Sequence, residues 1–128
     1  MPFEETEFLR RRAEAFLRNA GRLIEEGEWD LAIFSLEQYC QLILKYKLLV
    51  RAGSYPRTHS LRRLIRELGR YNKKILKLVE DEGSLLYVTK LEDAYIASRY
   101  LPREYEEREV GDAYRFVVEV FKRAVEEA

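Results

Sequence analysis

His59 is the one side chain in this 128-residue sequence that titrates near neutrality when unperturbed. Arg57 and Arg62 stand two positions before it and three after it. An imidazole between guanidinium forks can bind a phosphate or donate a proton to it. The same ring can instead hydrogen-bond a backbone carbonyl and fix a loop at the start of a helix. Arg99 is a second candidate: it follows Tyr95 by one helical turn and precedes Pro102. Its fork suits a phosphate, or an acid such as Glu104 or Glu107. Arg62, Arg66 and Arg70 recur every fourth residue, with Lys73, Lys74 and Lys77 beyond them. Such a stripe can track a nucleic-acid backbone or a nucleotide's phosphates, or be paired off by neighbouring acids. Arg103 and Tyr105 complete the phosphate-binding candidates Arg57, His59, Arg62, Arg66 and Arg99. Tyr55, Tyr100 and Tyr105 fall in expected loops, where a ring can stack on a base. Tyr39, Tyr46, Tyr95 and Tyr114 lie on apolar stripes and read as core. Glu37 sits with Gln38 among apolar residues and needs a partner if buried. It either pairs with an arginine such as Arg99 or lies at a dimer surface.

Other chemistries are excluded. The lone Cys40 allows neither an internal disulfide nor a Cys-rich zinc site, and a single His builds no His-based metal centre. No metal or cofactor is expected. The sequence has no glycine-rich phosphate loop, nucleophile elbow or spaced Asp pair, which argues against common nucleotide hydrolases and nucleotidyltransferases. No stretch approaches the roughly 18 uncharged apolar residues of a membrane span. The first residues are acidic where a signal peptide would be basic, so a cytoplasmic location is expected. Lys plus Arg equals 23 and Asp plus Glu equals 23, yet the zero balance is unevenly spread. Residues 51–77 carry nine basic residues against Glu67 alone, a net of +8, while residues 1–30 net −3. Abundant Glu and Arg with a single Met resembles the bias of heat-adapted proteins.

The elements that must position these residues are helical. Leu9, Ala13, Phe16, Ala20 and Leu23 recur at spacings of three and four, predicting an amphipathic helix over 5–26 closed by Gly27. Residues 29–52 are apolar nearly all round, as befits the central helix of a core or one buried against a second copy. Residues 52–59 read as a loop, with Thr58 or Ser60 capping a helix that turns Leu61, Leu64, Ile65 and Leu68 inward. Ile75, Leu76, Leu78 and Val79 predict a short helix interrupted near Gly83–Ser84. A further stripe follows at Val88, Leu91, Tyr95 and Ser98, ended by Pro102. A last helix over 109–127 is expected to bury Tyr114, Val117, Val118, Phe121, Ala124 and Val125. A tetratricopeptide reading of Gly27, Trp29, Ala32 and Phe34 lacks a second copy about 34 residues on. The expectation is one all-α domain over 1–128, an up-and-down bundle of about five helices.

Three segments, in this order, resemble the HEPN family. They are Gly27-Glu28-Trp29 with Ala32, Phe34, Glu37, Gln38, Leu42, Lys45 and Leu49; then Gly53, Pro56, Thr58, His59, Leu61 and Leu64; then Tyr95, Ser98, Arg99, Tyr100 and Pro102. The resemblance implies the five-helix fold of nucleotidyltransferase substrate-binding subunits. It also implies a homodimer and a small nucleotidyltransferase as partner, in a toxin–antitoxin arrangement, with nucleotide or RNA as ligand. Ribonuclease members carry an Arg followed, after four to six residues, by a His. Here the positions five to seven before His59 are Ser54, Gly53 and Ala52, and those after Arg99 are Glu104, Tyr105 and Glu106. An ordinary Tyr titrates near 10 and shuttles protons poorly at neutral pH. A binding and partner subunit is therefore expected. The alternative is a metal-independent ribonuclease with an altered site using His59, or Arg99 with Tyr105.

Overall fold

The computed structural model describes residues 3–100 and 103–128. Helix α1 (Phe3–Glu25) buries Leu9, Ala13 and Ala20, and the two alanines let it lie close to its neighbour. It stops where Gly27 takes a φ of +76°, a left-handed turn that favours glycine. Gly27 N–H then bonds the Ile24 carbonyl and Glu28 N–H the Leu23 carbonyl, satisfying the open end of the helix. Helix α2 (Trp29–Ala52) starts at once and packs along α1. Gly53, at φ +79°, closes it with an N–H bond to the Leu49 carbonyl.

Helix α2 also packs against the helices over residues 61–69 and 82–100 and the last helical stretch from residue 107 on, and buries Ile33, Leu36, Tyr39, Cys40, Leu44 and Leu48. It is the central helix its composition predicts. After the loop, Ser60 caps α3 (Leu61–Gly69), its hydroxyl accepting from Arg63 N–H at 3.2 Å. Thr58 does a different job, its hydroxyl accepting from Ser60 N–H at 3.1 Å. A 3₁₀ turn (Lys73–Leu76) leads into the short α4 (Lys77–Glu80), and then α5 (Glu82–Tyr100).

Three expectations about element detail are corrected. The break before α5 falls at Asp81, not at Gly83–Ser84, because the Asp81 carboxylate accepts from Ser84 N–H at 2.9 Å and restarts the helix there. The inward line of α5 is Val88, Leu91 and Ala94; Tyr95 is half-buried and Ser98 exposed. The last rod begins earlier, with α6 (Glu107–Phe116), and passes through one wide π turn (Val117–Phe121) into α7 (Lys122–Glu127). The wide turn adds a residue to the repeat, so Phe116, Val117, Phe121 and Val125 face the core while Val118 is 36% exposed. Among the described residues there is no strand, and the all-α bundle stands as expected. The predicted corner at Pro102 lies outside the described residues. Among the described residues no helix is long and apolar enough to cross a membrane.

Gly69 ends α3 against the 3₁₀ turn, and a Cβ there would fall 2.7 Å from Leu76 Cγ. Gly69→Ala is expected to cost about 1–3 kcal/mol, read as a lower urea midpoint at unchanged slope. Leu76→Ala in the same chain should recover part of that loss, because the two sites share one contact.

Candidate functional site

Helix α2 carries a carboxylate where the core is dry. Glu37 is fully buried, and its two oxygens accept from the side-chain amides of Gln38, at 2.8 Å, and Gln41. With its N–H group on Glu37, Gln41 turns its amide oxygen toward His59 Nδ1, 3.2 Å away. An amide oxygen only accepts, so Nδ1 carries the proton and Nε2 the lone pair. The imidazole lies on the Tyr95 ring, with centroids 4.8 Å apart and planes at 28°. The Tyr95 hydroxyl accepts from Arg99 Nη1 at 2.5 Å, and the guanidinium stands 5.4 Å from the ring centre. A continuous polar path therefore runs from the middle of α2, through the loop before α3, to the end of α5.

Charge along this path is tuned by burial. Desolvation pushes the Glu37 carboxyl up to about 7, against the pull of the two amides and of Lys45. Burial also lowers Lys45, with Glu37 opposing. His59 is pushed down by burial and then by the positive charges of Lys45 and Arg99, so its ring is neutral at pH 7. Arg99 has no carboxylate partner among the described residues. Arg99 and Lys45, beside a neutral imidazole, make a setting suited to an anion.

The other sequence candidates divide. The Glu92 carboxylate holds Arg62 twice through its guanidinium, at 3.0 and 3.2 Å, and accepts from its backbone N–H at 2.8 Å. Glu92 thereby also caps the first turn of α3. Arg57 and Arg66 are exposed and make no ion pair among the described residues. Arg103 pairs with Glu109 at 3.1 Å and lies over the Tyr105 ring at 4.3 Å. Arg99, Arg103 and Tyr105 share a cleft of about 690 Å³ with Trp29, Phe34 and Ser98, at the start of α2.

Two expectations are corrected here. Tyr105 is not an open stacking ring: it is 6% exposed, its hydroxyl has no partner among the described residues, and burial raises its pKa. Of the expected loop rings, Tyr100 closes α5 and is exposed, while half-buried Tyr55 lies 5.5 Å beneath the Lys45 ammonium. Glu37 meets neither Arg99 nor a surface, but two amides. Gln41 and the supporting role of Tyr95 were not anticipated. Their signals are spacings: Gln41 is four residues past Glu37, and Tyr95 four before Arg99, on one helix face in each case. Among the described residues no group of three or more metal-binding side chains converges.

The family model described as HEPN domain matches residues 6–128. No curated protein matches the chain.

A carboxyl whose folded pKa is raised stabilises fully below its unfolded pKa of 4.5, and that stability is lost as pH rises through about 7. The chain should therefore lose on the order of 2 kcal/mol between pH 4.5 and 8 from Glu37. Glu37→Gln, neutral at every pH, should show no such loss and match or exceed the parent at pH 8. Urea midpoints across this range check it; parallel curves for the two proteins would contradict it.

Proposed function

Because the chain belongs to the HEPN family, and so is a helical domain of the nucleotide-binding or ribonuclease type, we propose that it is a binding and partner subunit which holds nucleotide or RNA phosphates at Arg99. It acts as one domain, forms a homodimer and pairs with a small nucleotidyltransferase in a toxin–antitoxin arrangement. One observation carries the phosphate reading: Arg99 is oriented by a neutral hydroxyl, not by an acid. Its remaining N–H groups keep their full attraction for a phosphate oxygen. His59, stacked on the same tyrosine, adds a positive charge only when an anion or a lower pH restores its proton. Arg57, Arg63, Arg66, Lys73, Lys74 and Lys77 are exposed and unpaired among the described residues, which supports long-range attraction of a polyanion to the chain. For the dimer, α5 exposes Leu86, Ile96 and Tyr100 along one side, an apolar line suited to a second copy.

A second reading is favoured by the imidazole itself. Its bare Nε2 is a base at neutral pH, with a phosphate clamp one tyrosine ring away. A metal-independent ribonuclease would use His59 and Arg99 in this way. Tyr105, buried and with its pKa raised, is the wrong group for proton transfer.

Fluorescence anisotropy with labelled RNA at low salt tests the main reading. Arg99→Ala should weaken binding roughly tenfold, the cost of one charged hydrogen-bonded contact, and flatten the salt slope by about one unit. Affinity of the parent should rise as pH falls through the titration of His59, below its ordinary 6.5, and His59→Ala should lose that rise. Absence of any RNA or nucleotide binding at low salt would end the proposal. Cleavage of RNA in EDTA that stops in His59→Ala would replace it with the second reading. Light scattering should give the mass of two 15.3-kDa chains, and co-expression should yield a complex with a nucleotidyltransferase encoded beside it.

A further inference from the structure

We infer that the solvent-facing stripe of α1 is a docking surface for an acidic amphipathic helix of a partner protein. Phe8, Arg11, Arg12, Ala15, Phe16 and Arg22 line one shallow groove of about 590 Å³. None of them belongs to the Arg99 array or to the cleft beside it, so the inference does not rest on the phosphate reading.

The spacing is that of a helix–helix seam. Phe8, Arg11, Arg12 and Ala15 stand at i, i+3, i+4 and i+7, the four corners of a hole that accepts one knob from a facing helix. Ala15 is small and exposed, so the floor of that hole is open. Phe8, 48% exposed, and half-buried Phe16 supply apolar walls on either side. From Phe8 to Arg22 the stripe runs about 21 Å, room for two heptads of a partner.

Charge selects the partner. The carboxylates of Glu7 and Glu14 are both bonded to Arg10 and are absent from the groove. Arg11 and Arg12 make no ion pair among the described residues; Arg12 lies over the Phe8 ring at 4.7 Å. Arg22 donates to the neutral amide oxygen of Asn19 at 2.6 Å. Three guanidinium groups thus flank an apolar line without an ion pair among the described residues, a pattern complementary to leucines bordered by glutamates. A second copy of α1 is a poorer occupant, since its own groove brings three more arginines and no carboxylate. Nucleic acid would satisfy the charges but offers no apolar ridge for Phe8, Ala15 and Phe16.

The probe is a labelled helical peptide of about three heptads with leucine at the seam positions and glutamate beside them. Its sibling carries glutamine for every glutamate. The acidic peptide should bind the full chain at least about tenfold more tightly than its sibling, and less tightly as salt rises. Arg11→Glu, Arg12→Glu and Arg22→Glu combined should abolish that preference while the chain stays folded, read as an unchanged helical circular-dichroism spectrum, because all three side chains are exposed. Equal affinity for the two peptides, or unchanged binding by the triple variant, would overturn the inference. So would oligouridine binding that the triple variant loses while the acidic peptide fails to bind, which assigns the face to nucleic acid. Self-association that disappears in the triple variant without any peptide binding would assign it to a second copy and overturn it equally.

Discussion

A helix packed on nearly every side has few directions in which to send a polar side chain, and Glu37 sits midway along one. Helix α2 is enclosed by α1, α3, α5 and the α6–α7 rod, so a carboxylate at its buried positions must be satisfied by neighbours or else give up its charge. Both happen here. Gln38 and Gln41 donate to it, and its pKa still climbs to about 7. Because Gln41 spends its N–H on Glu37, its oxygen is left to fix one tautomer of His59. The state of a surface imidazole thus follows from how a core carboxylate is satisfied.

Scaffold and site share more than this one contact. Ser60, the residue after His59, caps α3. Glu92 on α5 caps the same helix and clamps Arg62, so the loop carrying His59 is tied to α5 one turn before Tyr95. Stacking between His59 and Tyr95 then depends on two helices held in register by capping bonds. Each such bond contributes about 1 kcal/mol. Together they hold an exposed imidazole in one orientation, which a solvent-facing loop would not do alone.

The bundle was legible because its signal is repeated: apolar residues every three or four positions, glycines at the ends of α1 and α2, and a continuously apolar α2. What the sequence did not reveal depended on single contacts. Asp81 restarts α5 through one hydrogen bond, and residue type alone places a break equally well at Gly83. The π turn at Val117–Phe121 leaves no mark in composition, yet it moves Val118 out of the core. Among the site residues, Arg99 and His59 were visible from their chemistry. The network joining them was not, because Gln41 and Tyr95 are ordinary residues for a core helix and acquire meaning only from what faces them. Tyr105 shows the reverse: a tyrosine after a proline reads as an exposed ring, but it is buried beside a cleft it shares with Trp29 and Phe34 of α2 and Ala94 of α5.

Charge follows a similar logic. Whole-chain neutrality is no guide to where attraction survives, because ion pairs are spent locally. Glu92 binds Arg62, Glu109 binds Arg103 and Glu7 binds Arg10; each of these acids also steadies a helix end or a helix face. Arginines without an acid in reach keep their attraction for groups outside the chain. They fall in separate places: Arg99 at the end of α5, Arg57, Arg63 and Arg66 on α3 and the loop before it, and Arg11, Arg12 and Arg22 along α1. A polyanion of regular spacing needs its cations on one continuous track. Arg99, beside an imidazole, and the α1 arginines, beside exposed Phe8, line separate hollows and so suit two ligands of different shape.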